Sequence, residues 1–181
     1  MKKILLFIAT ILIANIAAHG QAKNSSYDKG YRPNIEAGIH ISSSSKFIYG
    51  ITSSHGYNWG NGLYLGGLTG IMYTSEAAIT RPNRIMIPLL AEIKYSFINR
   101  LASPFISLKA GCLADVTEKG IGYEILPAVG VDIWRFSINI GFDTYQCTYS
   151  YKYLDTESNT MKPSAIGVGS AGVHLGISYT F

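Results

Sequence analysis

From about residue 30 onward, apolar and polar side chains alternate along the chain with a period of two. Phe136, Ile138, Ile140 and Phe142 fall on one face of an extended segment, with Ser137, Asn139, Gly141 and Asp143 on the other. Successive side chains of a strand point to opposite sides, so this spacing predicts a strand with one apolar face. Val173, Leu175, Ile177, Tyr179 and Phe181 repeat the pattern against His174, Gly176, Ser178 and Thr180. Leu89, Ala91, Ile93, Tyr95 and Phe97 do so against Glu92, Lys94 and Ser96. Ile106, Leu108 and Ala110 alternate with Ser107, Lys109 and Gly111, and Ile35, Ala37, Ile39 and Ile41 with Glu36, Gly38, His40 and Ser42. Ile125, Pro127, Val129, Val131 and Ile133 face away from Ala128, Gly130 and Asp132. Segments 47–54 and 63–73 are rich in tyrosine, glycine and β-branched residues, but their facing is ambiguous. No stretch after residue 21 sustains a helical period or is long enough for a transmembrane helix.

The pattern predicts eight strands, roughly 32–42, 46–56, 63–73, 85–97, 104–115, 123–133, 136–148 and 165–181. Eight is the smallest even count usual for closed membrane barrels. Connections 57–62, 98–103 and 134–135 are short. Those at 74–84 and 149–164 are longer and polar, and the brief ones at 43–45 and 116–122 fall at the same end. Short turns at one end and longer loops at the other describe the periplasmic and extracellular sides of an up-and-down barrel. Aromatic residues also divide by depth. Phe97, Trp134, Phe136, Tyr179 and Phe181 collect near the short turns, and Tyr49, Tyr73, Tyr123, Tyr145, Tyr149 and Tyr151 near the loops. Amphipathic rings at both boundaries are expected of a membrane barrel.

The beginning of the chain follows a different logic. Lys2 and Lys3 precede an unbroken apolar run from Ile4 to Ile13, and Ala18-x-Gly20 offers a cleavage site before Gln21. That is the layout of a secretory signal peptide over 1–20, leaving 21–181 as one barrel domain. Removing Lys2 and Lys3 takes two charges from a formal +4, so the basic balance says little about partners. The remainder has no Lys/Arg cluster of the kind that tracks nucleic-acid phosphates. Cys112 and Cys147 are too few for a disulfide framework. By parity Cys112 faces outward and Cys147 inward, on strands separated by a whole strand, so two free thiols are expected.

The polar face carries Glu36, Glu92, Lys94, Lys109, Asp132 and Asp143 among glycines and serines. In a soluble carrier barrel the apolar face lines a cavity, whereas in a membrane barrel it meets lipid and the lumen is polar. Two aromatic girdles and a terminal phenylalanine favour the membrane. The expected fold is therefore all-β, an eight-stranded antiparallel up-and-down transmembrane β-barrel.

Lys29-Gly30-Tyr31, Ser53-Ser54-His55-Gly56-Tyr57-Asn58 and Leu63-Tyr64-Leu65-Gly66-Gly67 together resemble a known family. Ile87-Pro88-Leu89-Leu90-Ala91, Asn99-Arg100 and Ser103 through Gly111 continue the likeness. The chain resembles the small outer-membrane β-barrel domain proteins of the Bacteroidota, barrels of the OmpA/OmpX-like kind. The resemblance implies a Gram-negative cell envelope and the outer membrane more than it implies an activity. Val173, Leu175, Ile177, Tyr179 and Phe181 also resemble the C-terminal signal read by the outer-membrane barrel assembly machinery.

Several motifs that could carry chemistry have plainer explanations. Gly167 to Gly172 matches G-x-G-x-x-G, but it lies inside the last strand rather than between a strand and a helix. An enzyme acting on lipid A would need a nucleophile, a base and a group orienting that base. His55 lies near a periplasmic turn, and two residues beyond the lumen-facing His174 stands Gly176, not serine. His40 and His174 fall on neighbouring strands, yet only Glu36 is an obvious further metal ligand, so polar filling of the lumen is the expected role. Glu92, Lys94, Lys109, Asp132 and Asp143 are expected to form an internal network in a barrel too narrow to conduct. Within it, a register in which paired residue numbers sum to 201 sets Glu92 opposite Lys109 as an ion pair. The resulting expectation is a non-enzymatic monomer with a structural or surface-interaction role, no cofactor and no metal. Its partners would be outer-membrane lipid, lipopolysaccharide and the assembly machinery. A lipid A-modifying enzyme and a soluble periplasmic carrier are the alternatives.

Overall fold

The computed structural model describes residues 27–42, 47–75, 83–100, 102–155 and 160–181. The signal peptide expected over 1–20 lies outside these residues. Eight strands follow one another: β1 (Gly30–Ser42), β2 (Phe47–Asn58), β3 (Leu63–Ser75), β4 (Arg84–Ser96), β5 (Ala102–Asp115), β6 (Gly120–Ile133), β7 (Phe136–Asp155) and β8 (Thr160–Thr180). Each pairs antiparallel with the next, and β1 pairs with β8 to close the barrel. Closure leaves no free edge, which matters where no water can satisfy backbone groups.

Local chemistry explains the tight ends. Two residues join β6 to β7, and the first, Trp134, takes φ +60° to turn the chain. Gly60 and Gly62 take φ +84° and +85° in the β2–β3 turn, where an added Cβ on Gly62 would strike the Ser96 carbonyl oxygen. Asn58 Oδ1 accepts from the Gly60 amide at 2.9 Å, a side-chain turn that fixes the same corner. Just past β8, Phe181 N donates to Pro33 O at 3.1 Å, so the chain is held at the closing seam.

The predicted alternation is the facing observed. Ile39, Ile51, Ile71, Leu89, Ile106, Val129, Ile138 and Ile177 point outward and are exposed, while Glu36, Glu92, Lys109, Asp132 and Asp143 are buried. A water-soluble barrel would show the reverse, so the exterior has the character of a lipid-facing belt. Tyr31, Tyr57, Trp59, Tyr95, Phe97, Trp134 and Phe136 ring the short-turn end, and Tyr49, Tyr73 and Tyr123 the other.

Two expectations need correction. Tyr145 and Tyr149 do not join the outer girdle. They share the inward parity of Asp143 and are buried, while Tyr151 further along is exposed. The stretch 149–164 is also not a simple loop, because β7 and β8 run on as a paired ribbon to Asp155↔Thr160. These strands hold 20 and 21 residues, against 12 to 14 in the others, so the ribbon passes the rim of the barrel.

The ambiguous facing of segments 47–54 and 63–73 has a structural cause. Both faces of β2 and β3 carry apolar residues there, Ile51 and Ile71 outside and Ile48, Leu68 and Met72 inside. Ile48, Met72, Met86, Leu113 and Cys147 form a buried apolar cluster inside the barrel. The lumen is thus polar toward the short turns, with an apolar layer above and buried Thr74, Arg84 and Asp115 at the long-strand end.

Cys112 is exposed on β5 and Cys147 is buried in that cluster, and neither is bonded. A maleimide that partitions into lipid should label Cys112 in the folded barrel and Cys147 only after unfolding. Peptide mass mapping reads the difference, and a Cys112–Cys147 disulfide under non-reducing conditions would contradict the strand order.

Candidate functional site

The polar lumen is layered by strand parity, since every second residue of all eight strands projects into it. The layer nearest the short turns centres on Asp132 of β6. Lys94 Nζ donates to Asp132 Oδ1 at 2.6 Å, Ser137 Oγ to the same oxygen at 2.5 Å and Ser96 Oγ to Oδ2 at 3.2 Å. The Lys94 ammonium also lies 3.9 Å from the Phe105 ring centre. One carboxylate thereby meets a cation and two hydroxyls, which satisfies its lone pairs out of water.

The next layer corrects the predicted ion pair. Glu92 and Lys109 are cross-strand partners, as the sum of 201 requires. Yet Lys109 Nζ donates across the lumen to Glu36 Oε1 at 2.6 Å. Glu36 Oε2 accepts from Asn139 Nδ2 at 3.0 Å, and Glu92 Oε2 accepts from Ser54 Oγ at 2.5 Å. Ser54 Oγ also lies 2.7 Å from the Tyr64 hydroxyl. In a closed barrel a long side chain can prefer a partner several strands away to its neighbour, which pairwise strand logic does not capture.

Above this layer lie two histidines. His40 Nε2 is 3.2 Å from His174 Nδ1, with ring centroids 4.4 Å apart. Glycines make room for them: a Cβ on Gly38 would run into the His174 ring, and one on Gly176 would lie 2.8 Å from His174 Nε2. His40 Nδ1 is 2.9 Å from Asp143 Oδ2. Glu124, which the sequence reading left unassigned, completes a group. His40, Glu124 and Asp143 are buried and their ligand atoms lie within 4.8 Å of one another. The sequence signal for it was plain, since Glu124 shares parity with Asp132. Beyond the apolar cluster, Arg84 Nη1 donates to the Tyr149 hydroxyl at 2.7 Å, and that hydroxyl donates to Asp115 Oδ2 at 2.8 Å.

On the outside, β1 and β2 assemble a constellation that the sequence reading did not find. Ser53 Oγ lies 3.1 Å from His55 Nε2, and His55 Nδ1 lies 2.6 Å from the Tyr31 hydroxyl. Ser53 Oγ also lies 3.3 Å from the Asn34 carbonyl oxygen as a donor. The signal was Ser53-x-His55, two residues apart on one face of a strand. The patch runs from the middle of β2 to the aromatic girdle at the short-turn end.

Comparison with known proteins bears on the fold. No protein-family model and no curated protein matches the sequence. Among solved structures, the outer membrane enzyme PagL is 14% identical, covers 79% of this chain and 97% of its own, and superposes with a TM-score of 0.53. Neisserial surface protein A is 15% identical, with 83% and 96% coverage and a TM-score of 0.46. The likeness to PagL is one of architecture: this chain has the closed eight-stranded fold of a small outer-membrane barrel.

Proposed function

We propose that this chain is a non-enzymatic barrel of the outer membrane, of the Bacteroidota type, that presents its β7–β8 ribbon to partners outside the cell. The observation that carries the reading is the length of that ribbon, 20 and 21 residues in strands whose neighbours have 12 to 14. A membrane crossing needs about 9–11 tilted residues, so the excess projects beyond the lipid. Ile166 and Tyr151 are exposed on it. The lumen supports a closed barrel, because buried side chains line it from the Asp132 layer to the Met72 cluster. Val173, Leu175, Ile177, Tyr179 and Phe181 act in this reading as the signal for the assembly machinery. Their support is the apolar face that the first three present outward and the Phe181 link to Pro33 at the seam.

A second reading, a membrane-embedded enzyme acting on a lipid ester, is favoured by one observation. Ser53, His55 and Tyr31 stand in the relation of nucleophile, base and orienting group on the lipid-facing surface. Their place toward the short turns points to lipid of the periplasmic leaflet rather than to lipid A. Mass spectra of the phospholipids and lipid A from a deletion strain separate the two readings. The expected result is unchanged spectra, with the protein recovered in the outer-membrane fraction. A lipid change complemented by the natural chain but not by Ser53→Ala would replace the first reading with the second.

A further inference from the structure

The group on β1, β6 and β7 has a feature that lumen filling leaves unexplained. His40, Glu124 and Asp143 are 6%, 2% and 2% exposed. Glu124 Oε2 and Asp143 Oδ1 meet no hydrogen-bond donor, and His40 Nδ1, though 2.9 Å from Asp143 Oδ2, is not aligned to donate to it. Two buried carboxylates and an imidazole nitrogen thus converge without a proton shared between them in good geometry. The neighbouring cations are engaged elsewhere: Lys94 on Asp132, Lys109 on Glu36 and Arg84 on Tyr149. A buried charge costs heavily unless it is paired or coordinates a metal.

We propose that His40, Glu124 and Asp143 bind one first-row divalent cation, which ties β1 to β6 and β7 across the lumen. Ligands of a tetrahedral cation at about 2.0–2.2 Å stand roughly 3.3–3.6 Å from one another, so His40 Nδ1 and Asp143 Oδ2, 2.9 Å apart, need to part by only a few tenths of an ångström to hold one. The imidazole favours a transition ion such as zinc over calcium, which takes oxygen ligands. The outer nitrogen of a ligating histidine is ordinarily held by a second group, and His174 stands 3.2 Å from His40 Nε2 in that position. His174 in turn has Nε2 3.3 Å from Glu36 Oε1. The glycines at 38 and 176 leave room for this supporting ring. The site is independent of whether the barrel binds surface partners or lipid.

The test uses the full mature chain refolded into detergent micelles in the presence and absence of zinc chloride, followed by dialysis and metal analysis. The expected result is one zinc per folded chain and a higher temperature of conversion from the folded to the unfolded gel band. Glu124→Gln and Asp143→Asn should lose the bound zinc, and His174→Gln should weaken binding by roughly 10–100-fold. Should a variant fail to give the folded band, X-ray absorption of zinc on the natural chain decides, with an imidazole and oxygens expected in the shell. No zinc on the folded barrel, sulfur in the shell, or zinc retained equally by both carboxylate variants overturns the proposal. Zinc binds such ligands more tightly than manganese, so its failure excludes the weaker ion as well.

Discussion

Lys109→Met should destabilise the folded barrel by about 3–5 kcal/mol, because it strands the Glu36 carboxylate inside the lumen. Glu36 is buried, and the Lys109 ammonium is its cationic partner at 2.6 Å. Asn139 and His174 remain beside the carboxylate, but neither supplies a permanent charge. Glu36→Gln in the same chain should recover a large part of the loss, since it removes the unpaired charge while keeping the shape. Denaturant titration in phospholipid vesicles, read by the folded gel band, gives the four corners of the cycle. Glu92→Gln provides the contrast. It is the cross-strand neighbour of Lys109 but accepts from Ser54, so its coupling to Lys109 should be the weaker of the two. Additive effects of Lys109→Met and Glu36→Gln would show that the pair across the lumen does not form.

Leu89→Arg should cost about 2–4 kcal/mol in vesicles, the range for a cation placed at the middle of a lipid-facing strand. Leu89 is 68% exposed, near the centre of β4, with Ile87 and Ile93 outward on the same strand. The same cation at Val116, exposed beyond the end of β5 in the β5–β6 turn, should be nearly neutral. A barrel bathed in water would tolerate both alike, because an exposed leucine on a soluble surface contributes little. The comparison therefore reads the medium around the barrel. Equal stability of the two variants in vesicles would remove lipid from the outer face.

Much of this architecture is written in local alternation. Strand number, strand order, the turn at Trp134, the outward set led by Leu89 and Ile138, and the free state of both cysteines follow from parity and connection length. Each of those features depends on the chain's own pleat or on its nearest neighbour in sequence, so a single sequence suffices. The Glu92–Lys109 register belongs to the same class, because a short turn fixes which residues stand opposite.

What alternation could not supply is whatever depends on the barrel being closed and narrow. Inward parity places Lys109 in the lumen, but only closure sets Glu36 of β1 within reach of it, and a strong acceptor across the lumen wins the ammonium from its strand neighbour. Glu124 and Asp143 are adjacent to no histidine in sequence, yet closure brings both to His40. The inward facing of Tyr145 and Tyr149 is different, since it follows the parity of Asp143 and was masked only by their nearness to the strand end. A tyrosine near a strand end serves equally well in a girdle or in a lumen, and the Arg84–Tyr149–Asp115 chain of hydrogen bonds holds one of them inside. The β7–β8 ribbon was hidden for a different reason, since past the lipid both faces meet water and the alternation that marks a strand is no longer required. The sequence by itself determined the pleat, the count and the facing of this barrel, because those follow from chain geometry and apolar burial. The tertiary structure decided which charges meet, because electrostatic partners in a closed lumen are chosen by distance through space.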